Sequence, residues 1–259
     1  GATNDNVYEY TLSTPYDLTS SAFVQSFDVL PQESNPTGLT FSRDGLRFFV
    51  IGTTTDSIYQ YNLSVPFTIA TAVYSDQAIY VGNEENSPTG LFLADDGTKM
   101  YVVGSTGDDV HQYNLSVANE INSATYSGSF LDLSGVLFAP TDVTLNADGS
   151  RLFVMGTSSR RVYTYDLSTP FDLSTAVQGR KTFNLAPTET SSQGIAIDST
   201  GTTMFITGTA TRDILSYNLT DNAFVEAGAN DGTVEGSLII TVSGDSFNNT
   251  GMSLSQGTD

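Results

Sequence analysis

The chain has 259 residues, and its 29 acidic residues outnumber its 9 basic residues, which gives a formal net charge of -20 at pH 7. This charge repels phosphate backbones and anionic membrane surfaces, so it argues against nucleic-acid binding and membrane-surface binding. The sequence contains no cysteine and no apolar run of the roughly 18 residues that a membrane helix needs, which excludes disulfides, thiol chemistry and a helical membrane span.

A repeat organises most of the sequence. The pattern Gly-x5-[Val/Ile]-x-x-Tyr-x-Leu occurs five times, at intervals of 51, 52, 52 and 52 residues. Its glycines are Gly1, Gly52, Gly104, Gly156 and Gly208. So regular a period indicates one supersecondary unit copied in tandem, because a single copy cannot bury its own apolar face. We assign residues 1–226 to the repeats and residues 227–259 to a divergent tail.

Each repeat predicts four short strands. The first strand, at 36–42 in one copy, is followed by Asp44-Gly45, a strong signal for a hairpin turn. The second strand, at 48–51, is a continuous apolar run and is predicted to be buried on both faces. Large side chains recur at one second-strand position and are predicted to fill the wedge between neighbouring units. They are Phe49, Tyr101, Phe153 and Phe205.

The third and fourth strands complete the unit. The third strand, at 58–61 in the same copy, roughly alternates polar and bulky residues, and a proline-containing corner follows it at 63–66. The fourth strand is more polar and is predicted to be the outer, solvent-facing one. Its copies are centred on Phe23, Tyr74, Tyr126 and Ala176.

Four strands per repeat predict an all-β fold, namely a β-propeller of four-stranded antiparallel blades with about five blades. The alternative is four blades plus a separate C-terminal strand segment. A β-solenoid is less favoured, because its coils are usually shorter than 52 residues.

The segment Pro-Thr-Gly-Leu-Thr-Phe-Ser-Arg-Asp-Gly-Leu-Arg-Phe-Phe-Val-Ile-Gly, at 36–52, resembles the repeat of YVTN/NHL-type β-propellers. More narrowly, the units resemble tandem propeller repeats of secreted, cell-surface and phage-encoded bacterial proteins. The resemblance extends from residue 1 to about residue 226. It implies the fold and leaves the activity open, since such propellers include both binding modules and enzymes.

The tail contains a predicted strand at 237–242 and a weaker one at 251–255. The first repeat supplies only third and fourth strands, at 7–12 and 22–29, and these would leave a sheet edge exposed. We therefore expect the tail to complete this N-terminal blade and close the ring. The other interpretation is that the tail begins another β domain.

Catalytic residue sets are not recognisable in the sequence. The one histidine, His111, occupies a strand position that holds tyrosine in three other copies, which favours a structural role over a ligand or base. A single histidine excludes multi-histidine metal sites and makes a Ser/His/Asp set implausible. The absence of tryptophan argues against the propellers that bind quinone cofactors. Asp44, Asp96 and Asp148 follow the repeat, so a turn role is favoured over a catalytic one.

Calcium is the one cofactor that the sequence brings into consideration. Aspartates gather in the loop between the second and third strands, where carboxylate oxygens could hold Ca²⁺, although no EF-hand spacing is present. These weak candidate ligands are Asp5, Asp56, Asp108, Asp109 and Asp213. A solvated loop is the favoured interpretation, and no other cofactor is predicted.

The sequence favours a non-catalytic propeller that acts as a display, adhesion or structural module outside the cell, on a cell surface or on a virion. The expected partner is a protein or glycan surface, or neighbouring copies in an assembly, without nucleic acid or membrane insertion. The alternative is a hydrolytic or lactonase-like propeller enzyme, which would need carboxylates that converge on the central channel.

Overall fold

The computed structural model describes residues 4–186, 188–219, 225–226 and 238–240. The described chain is built from antiparallel strands and short 3₁₀ helices. It begins with a two-stranded sheet, the N-terminal sheet, which consists of β1 (Asn6–Leu12) and β2 (Ser21–Asp28). The 3₁₀ helices each precede the outer strand of a sheet, and they cover Leu18–Ser20, Ile69–Thr71, Ile121–Ser123 and Leu173–Thr175.

Four blades follow the N-terminal sheet, and the strands of each blade pair in chain order from the inner to the outer strand. The first blade contains β3 (Pro36–Phe41), β4 (Arg47–Gly52), β5 (Ser57–Leu63) and β6 (Ala72–Tyr80). The second contains β7 (Pro88–Leu93), β8 (Lys99–Gly104), β9 (Asp109–Leu115) and β10 (Ala124–Asp132). The third contains β11 (Pro140–Leu145), β12 (Arg151–Gly156), β13 (Arg161–Leu167) and β14 (Ala176–Asn184). The fourth contains β15 (Ser192–Ile197), β16 (Thr203–Gly208) and β17 (Ile214–Asn218).

Two short strands add to the later blades. β18 (Val225–Glu226) pairs with the outer strand β14, and β19 (Leu238–Ile240) pairs with β17, both antiparallel. The third blade thereby has five strands, and the fourth blade obtains an outer strand. The fold is a β-propeller of antiparallel blades arranged in a ring, as the repeat predicts.

The N-terminal sheet contacts both ends of the series of blades. Val7 and Val29 pack against Phe48 and other apolar residues of the first blade. On the other side, the ring of Tyr16 lies 6.2 Å from the ring of Phe205 in β16 of the fourth blade. The N-terminal sheet therefore lies between the first and fourth blades, so the structure contains four complete blades and one two-stranded sheet.

The expected closure of the ring by the tail is wrong in one respect. The tail strand predicted at 237–242 is present as β19, but it pairs with β17 and not with β1. The reason is that β17 also needs an outer partner, so the same edge argument applies to it. The other predicted tail strand, at 251–255, lies outside the described residues.

The predicted hairpin turns are present between the first two strands of the blades. Gly45, Gly97 and Gly149 have φ values of 67°, 69° and 69°, a region that favours glycine. In the third blade the backbone N–H of Ser150 donates to Asp148 Oδ1 over 2.9 Å. Hydrogen bonds from Ser150 hold the pKa of Asp148 below its usual range. The turn role of these aspartates is confirmed.

The apolar core lies mainly between blades. Phe49 of the first blade packs with Met100 and Val102 of the second blade, and Tyr101 of the second packs with Val143 of the third. Phe153 packs in the same way with residues of the fourth blade. The prediction that the second strands form the buried layer and that their large side chains fill the wedges is therefore confirmed.

Hydrogen bonds join successive units at two distances from the axis of the ring. Near the axis, Thr37 Oγ1 donates to the carbonyl oxygen of Pro88 in the next blade over 2.8 Å, and Thr89 Oγ1 donates to Pro140 over 2.9 Å. Further out, third-strand side chains accept N–H groups from the 3₁₀ helix of the next blade. These pairs are Glu9 with Ile69, Gln60 with Ile121 and Gln112 with Leu173.

The inner strands approach one another closely. A Cβ atom on Gly38 of β3 would lie 3.1 Å from the Cα atom of Gly90 in β7. A Cβ atom on Gly90 would lie 2.4 Å from Oδ1 of Asp142 in β11. Glycine at these positions allows the backbones of successive blades to meet near the axis. Among the described residues, no helix is long and apolar enough to cross a membrane.

We expect Phe153→Ala to lower the free energy of unfolding by about 3–5 kcal/mol, because the ring is buried between the third and fourth blades. Chemical denaturation measures this loss. Phe138→Ala is the control, since this phenylalanine is exposed, and it should change the free energy by less than about 0.5 kcal/mol. Equal effects of both substitutions would contradict the assigned core.

Candidate functional site

Carboxylates gather at one end of the ring, which we call the carboxylate end. Because the strands are antiparallel, the loop between second and third strands meets the segment before the first strand here. In the first blade these parts are residues 53–56 and 29–35, and in the second blade they are residues 105–108 and 81–87.

A buried glutamate recurs in three blades at this end. Glu33, Glu85 and Glu189 each accept a hydrogen bond from the backbone N–H two residues further along, over 2.8, 2.7 and 2.6 Å. Each also accepts hydrogen bonds from the loop between second and third strands, as Glu85 does from Thr106 and Gly107. These charge-assisted bonds offset the cost of burying a carboxylate.

The buried glutamates explain the glycine that defines the repeat. A Cβ atom on Gly104 would lie 2.1 Å from Cγ of Glu85, and Gly52 and Gly208 are placed in the same way against Glu33 and Glu189. In the third blade Leu137 occupies the glutamate position. Sequence reasoning missed these glutamates, although their spacing follows the repeat and was the available signal.

Three predicted calcium ligands hold the same turn in successive units. Asp5, Asp56 and Asp108 have φ values of 51°, 49° and 52°, which aspartate tolerates better than most residues. Their carbonyl oxygens accept the N–H groups of residues 29, 81 and 133. Arg160 and Arg212 take the equivalent position with φ values of 55° and 61°, so the turn does not need the carboxylate.

The structure distributes the five predicted calcium ligands over different units. Burial raises the pKa of Asp56, and the negative charges of Glu33 and Glu85 act in the same direction. Asp213 directly precedes β17 of the fourth blade. Its equivalent in the second blade is Asp109, which follows Asp108. Calcium binding by these candidate ligands stays the less favoured alternative to a solvated loop.

Asp109 belongs to a distinct group with Glu85 and His111. One ligand atom of each residue lies within 4.8 Å of the other two, the single such group of three found in the described part of the chain. The Nε2 atom of His111 lies 2.8 Å from Oδ1 of Asp109. Despite this distance, both atoms are buried and neither makes a directed hydrogen bond.

The position of His111 agrees with its expected place in a strand. It lies in β9, opposite Val102 and Phe130 of the neighbouring strands, and is only 5% exposed. Its ring packs against Tyr126 at a centroid distance of 5.6 Å. The cluster with Glu85 and Asp109 was not predicted, because Glu85 lies more than twenty positions earlier and only the fold brings it close.

A second unpredicted carboxylate lies near the axis. Asp142 stands where the other inner strands carry Gly38, Gly90 and Gly194, so it breaks the repeat. Its Oδ2 atom accepts the N–H of Ile195 in the fourth blade over 2.9 Å. Burial raises its pKa well above the usual range, although backbone N–H groups act in the opposite direction.

No family model matches this sequence, and a search of curated proteins gave no match. Solved structures do resemble it. A functionally unknown protein from Desulfotomaculum acetoxidans has 14% identity and a TM-score of 0.53, with 92% of this chain and 72% of that chain covered. A protein from Bacteroides uniformis, provisionally described as a 6-phosphogluconolactonase, has 14% identity and a TM-score of 0.54, with 93% and 70% covered.

A third similar structure is the periplasmic gluconolactonase PpgL of Pseudomonas aeruginosa. It has 14% identity and a TM-score of 0.51, and the alignment covers 87% of this chain and 64% of that chain. Similarity at this level of identity shows a shared propeller fold.

We expect Gly104→Ala to lower the free energy of unfolding by about 1–3 kcal/mol, because the methyl group would overlap Glu85. Thermal or chemical denaturation measures this effect. Gly135→Ala is the control, since no heavy atom lies within 4 Å of its Cβ position. A neutral effect of Gly104→Ala would show that Glu85 does not occupy this position.

We expect Asp142 to make a pH-dependent contribution to stability. Its raised pKa means that the folded protein keeps a proton that the unfolded chain loses. This contribution is complete below the ordinary aspartate pKa and is lost as the pH rises through the folded-state pKa. The difference in unfolding free energy between the native protein and Asp142→Asn should therefore fall with increasing pH. A difference that is independent of pH would contradict this assignment.

Proposed function

We propose that this protein is a non-catalytic interaction module outside the cell, on a cell surface or on a virion. Its contact surface would be the rim, which we define as the exposed face of the outer strands β2, β6, β10 and β14. We also propose that its repeats are of the YVTN/NHL type and are related to those of secreted, cell-surface and phage-encoded bacterial proteins. The observation that carries it is the exposure of large apolar side chains on the outer strands.

Every outer strand of the N-terminal sheet and of the first three blades exposes such a side chain. Val73 of β6 is 67% exposed, Phe130 of β10 is 56% exposed and Val177 of β14 is 68% exposed. β2 exposes Phe23 in the same way. Contiguous exposed apolar patches are typical of protein contacts, whereas single exposed side chains are common on ordinary surfaces, so the proposal uses their recurrence at the outer strands of successive sheets.

The outer strands favour contact through side chains over the addition of a strand. Each of β2, β6, β10 and β14 contains a shift in register with its neighbour. On β2, β6 and β10 such bulges twist the strand and weaken its ability to pair along an open edge, whereas β14 pairs with β18 beside its bulge. A partner would therefore pack against the rim residues themselves.

The negative charge ranks the partner classes and excludes none of them. A net charge of -20 disfavours close association of copies at low salt and favours a surface with basic groups. Copies of this chain, a protein surface and a glycan surface all remain within the proposal. No cofactor is required for such a contact.

The second candidate is a lactonase-like hydrolase. The similarity to two structures described as lactonases favours it, but only through the fold. The buried Asp142 would then be the carboxylate near the axis that such an enzyme needs. Both of its oxygen atoms accept backbone N–H groups, so a structural role explains it fully.

The test combines three rim substitutions taken from the repeat itself. Val73 and Val177 correspond to Thr125, and Phe130 corresponds to Ala78. We expect the variant Val73→Thr/Phe130→Ala/Val177→Thr to fold normally and to lose binding. Binding is measured by sedimentation velocity for self-association at high and low salt, and by a glycan array.

Hydrolysis of gluconolactone and 6-phosphogluconolactone is measured beside the binding assays, and we expect the rate to equal that without protein. Binding that survives the triple substitution would show that the rim is not the contact surface. Lactone hydrolysis that Asp142→Asn abolishes would replace the proposal with the enzymatic alternative. The absence of self-association and of glycan binding would contradict the proposal for these two partner classes.

A further inference from the structure

We propose that Glu85, Asp109 and His111 form a binding site for one divalent transition-metal ion, with Zn²⁺ as the best match. This site is independent of the rim and goes beyond the proposed function. It lies at the carboxylate end of the second blade, between the segment that precedes β7 and the start of β9.

The unsatisfied atoms of the cluster are the first argument. His111 Nε2 and Asp109 Oδ1 are both buried and lie 2.8 Å apart, yet the contact lacks the direction of a hydrogen bond. Buried polar atoms that make no hydrogen bond are rare in native proteins, and here the two atoms have only their close contact with each other. A cation shared by the imidazole lone pair and the carboxylate would satisfy both atoms at once.

The charge of the cluster is the second argument. Glu85 and Asp109 bring two carboxylates together, one buried and one half-buried, with ligand atoms within 4.8 Å of each other. Like charges at this range oppose each other, and a divalent cation would neutralise them.

Two of the three ligands, Glu85 and His111, are oriented by contacts outside the cluster. The N–H groups of Ser87, Thr106 and Gly107 fix the carboxylate of Glu85. The other ring nitrogen of His111, Nδ1, lies 3.4 Å from the hydroxyl oxygen of Tyr126. Outer contacts of this kind orient a metal-binding histidine and its tautomer.

The donor atoms select the class of metal. Calcium and magnesium prefer sites made only of oxygen atoms, whereas one imidazole nitrogen with two carboxylates suits zinc and its neighbours. Three protein ligands would leave one tetrahedral position for water or for a group from a partner. The weak candidate calcium ligands therefore contribute one residue, Asp109, to a site of different chemistry.

The other blades lack the complete set. In the first blade Glu33 is accompanied by Ser57 and Tyr59, and in the fourth blade Glu189 is accompanied by Asp213 and Leu215. The third blade has Leu137 in place of the glutamate. Ser57 and Tyr59 occupy the same strand positions as Asp109 and His111. Substitution of Asp109 and His111 by serine and tyrosine should therefore remove two metal ligands and keep the strand.

The experiment uses the full chain without a histidine tag, stripped of metal with a chelator and titrated with ZnCl₂. We expect isothermal titration calorimetry to give one tight site. The variant Asp109→Ser/His111→Tyr adopts the residues of the first blade and should weaken the affinity by more than about 100-fold, beyond the effect of outer-shell changes. The converse variant Ser57→Asp/Tyr59→His should give two sites.

Two further measurements separate a built site from general attraction to an acidic surface. Because the chain has 1 histidine, its imidazole ¹⁵N resonances report directly on Nε2, which should shift on addition of Zn²⁺. Asp213→Asn should leave the affinity unchanged, and CaCl₂ should not compete at equal concentration.

Three outcomes would overturn the site. They are the absence of saturable zinc binding by the native chain, binding that Asp109→Ser/His111→Tyr leaves intact, and binding without a shift of the imidazole nitrogens. If Asp109→Ser/His111→Tyr does not fold, two other results test the site. They are the shift of the imidazole signal in the native chain and the number of zinc sites in Ser57→Asp/Tyr59→His.

Discussion

The structure depends on the burial of one blade against the next. A blade has two faces, and its second strand is apolar on both, so a single blade would leave much of that surface in water. Phe49, Tyr101 and Phe153 each cover the face of the following blade. The stability of every unit therefore comes from its neighbours, and the N-terminal sheet shares in it through Val7 and Val29.

Polar groups give this apolar ring its precise shape. In three blades a buried glutamate connects, by hydrogen bonds, the segment before the inner strand to the loop that follows the second strand, and Gly104 provides the room for Glu85. Since the same ties recur, the loops at the carboxylate end are held at fixed positions. In the second blade, Asp109 and His111 lie beside a glutamate, Glu85, that these hydrogen bonds hold in place.

The repeat allowed the fold to be predicted from the sequence because strand period, turn glycines and spacing all agree. The partner of β19 could not be predicted, since β1 and β17 offered equivalent edges. The sequence also contains Glu85, but its burial depends on contacts with Thr106 and Gly107, which lie 21 and 22 residues further along the chain. His111 was assigned to its strand correctly, whereas its proximity to Asp109 and Glu85 depends on three-dimensional placement.

The close approach of the inner strands has a consequence for how such a ring could grow. Gly38 and Gly90 match the present circumference, because a side chain there would meet the backbone or carboxylate of the next blade. Duplication of one more unit would move the inner strands apart and leave space opposite these glycines. The contact across the axis would then be lost, although Ile51 of the same blade would still lie 2.7 Å from a Cβ atom on Gly38. The glycines are therefore matched both to the neighbouring strand of their own blade and to the number of units in the ring, and Asp142 shows that one larger residue fits among them.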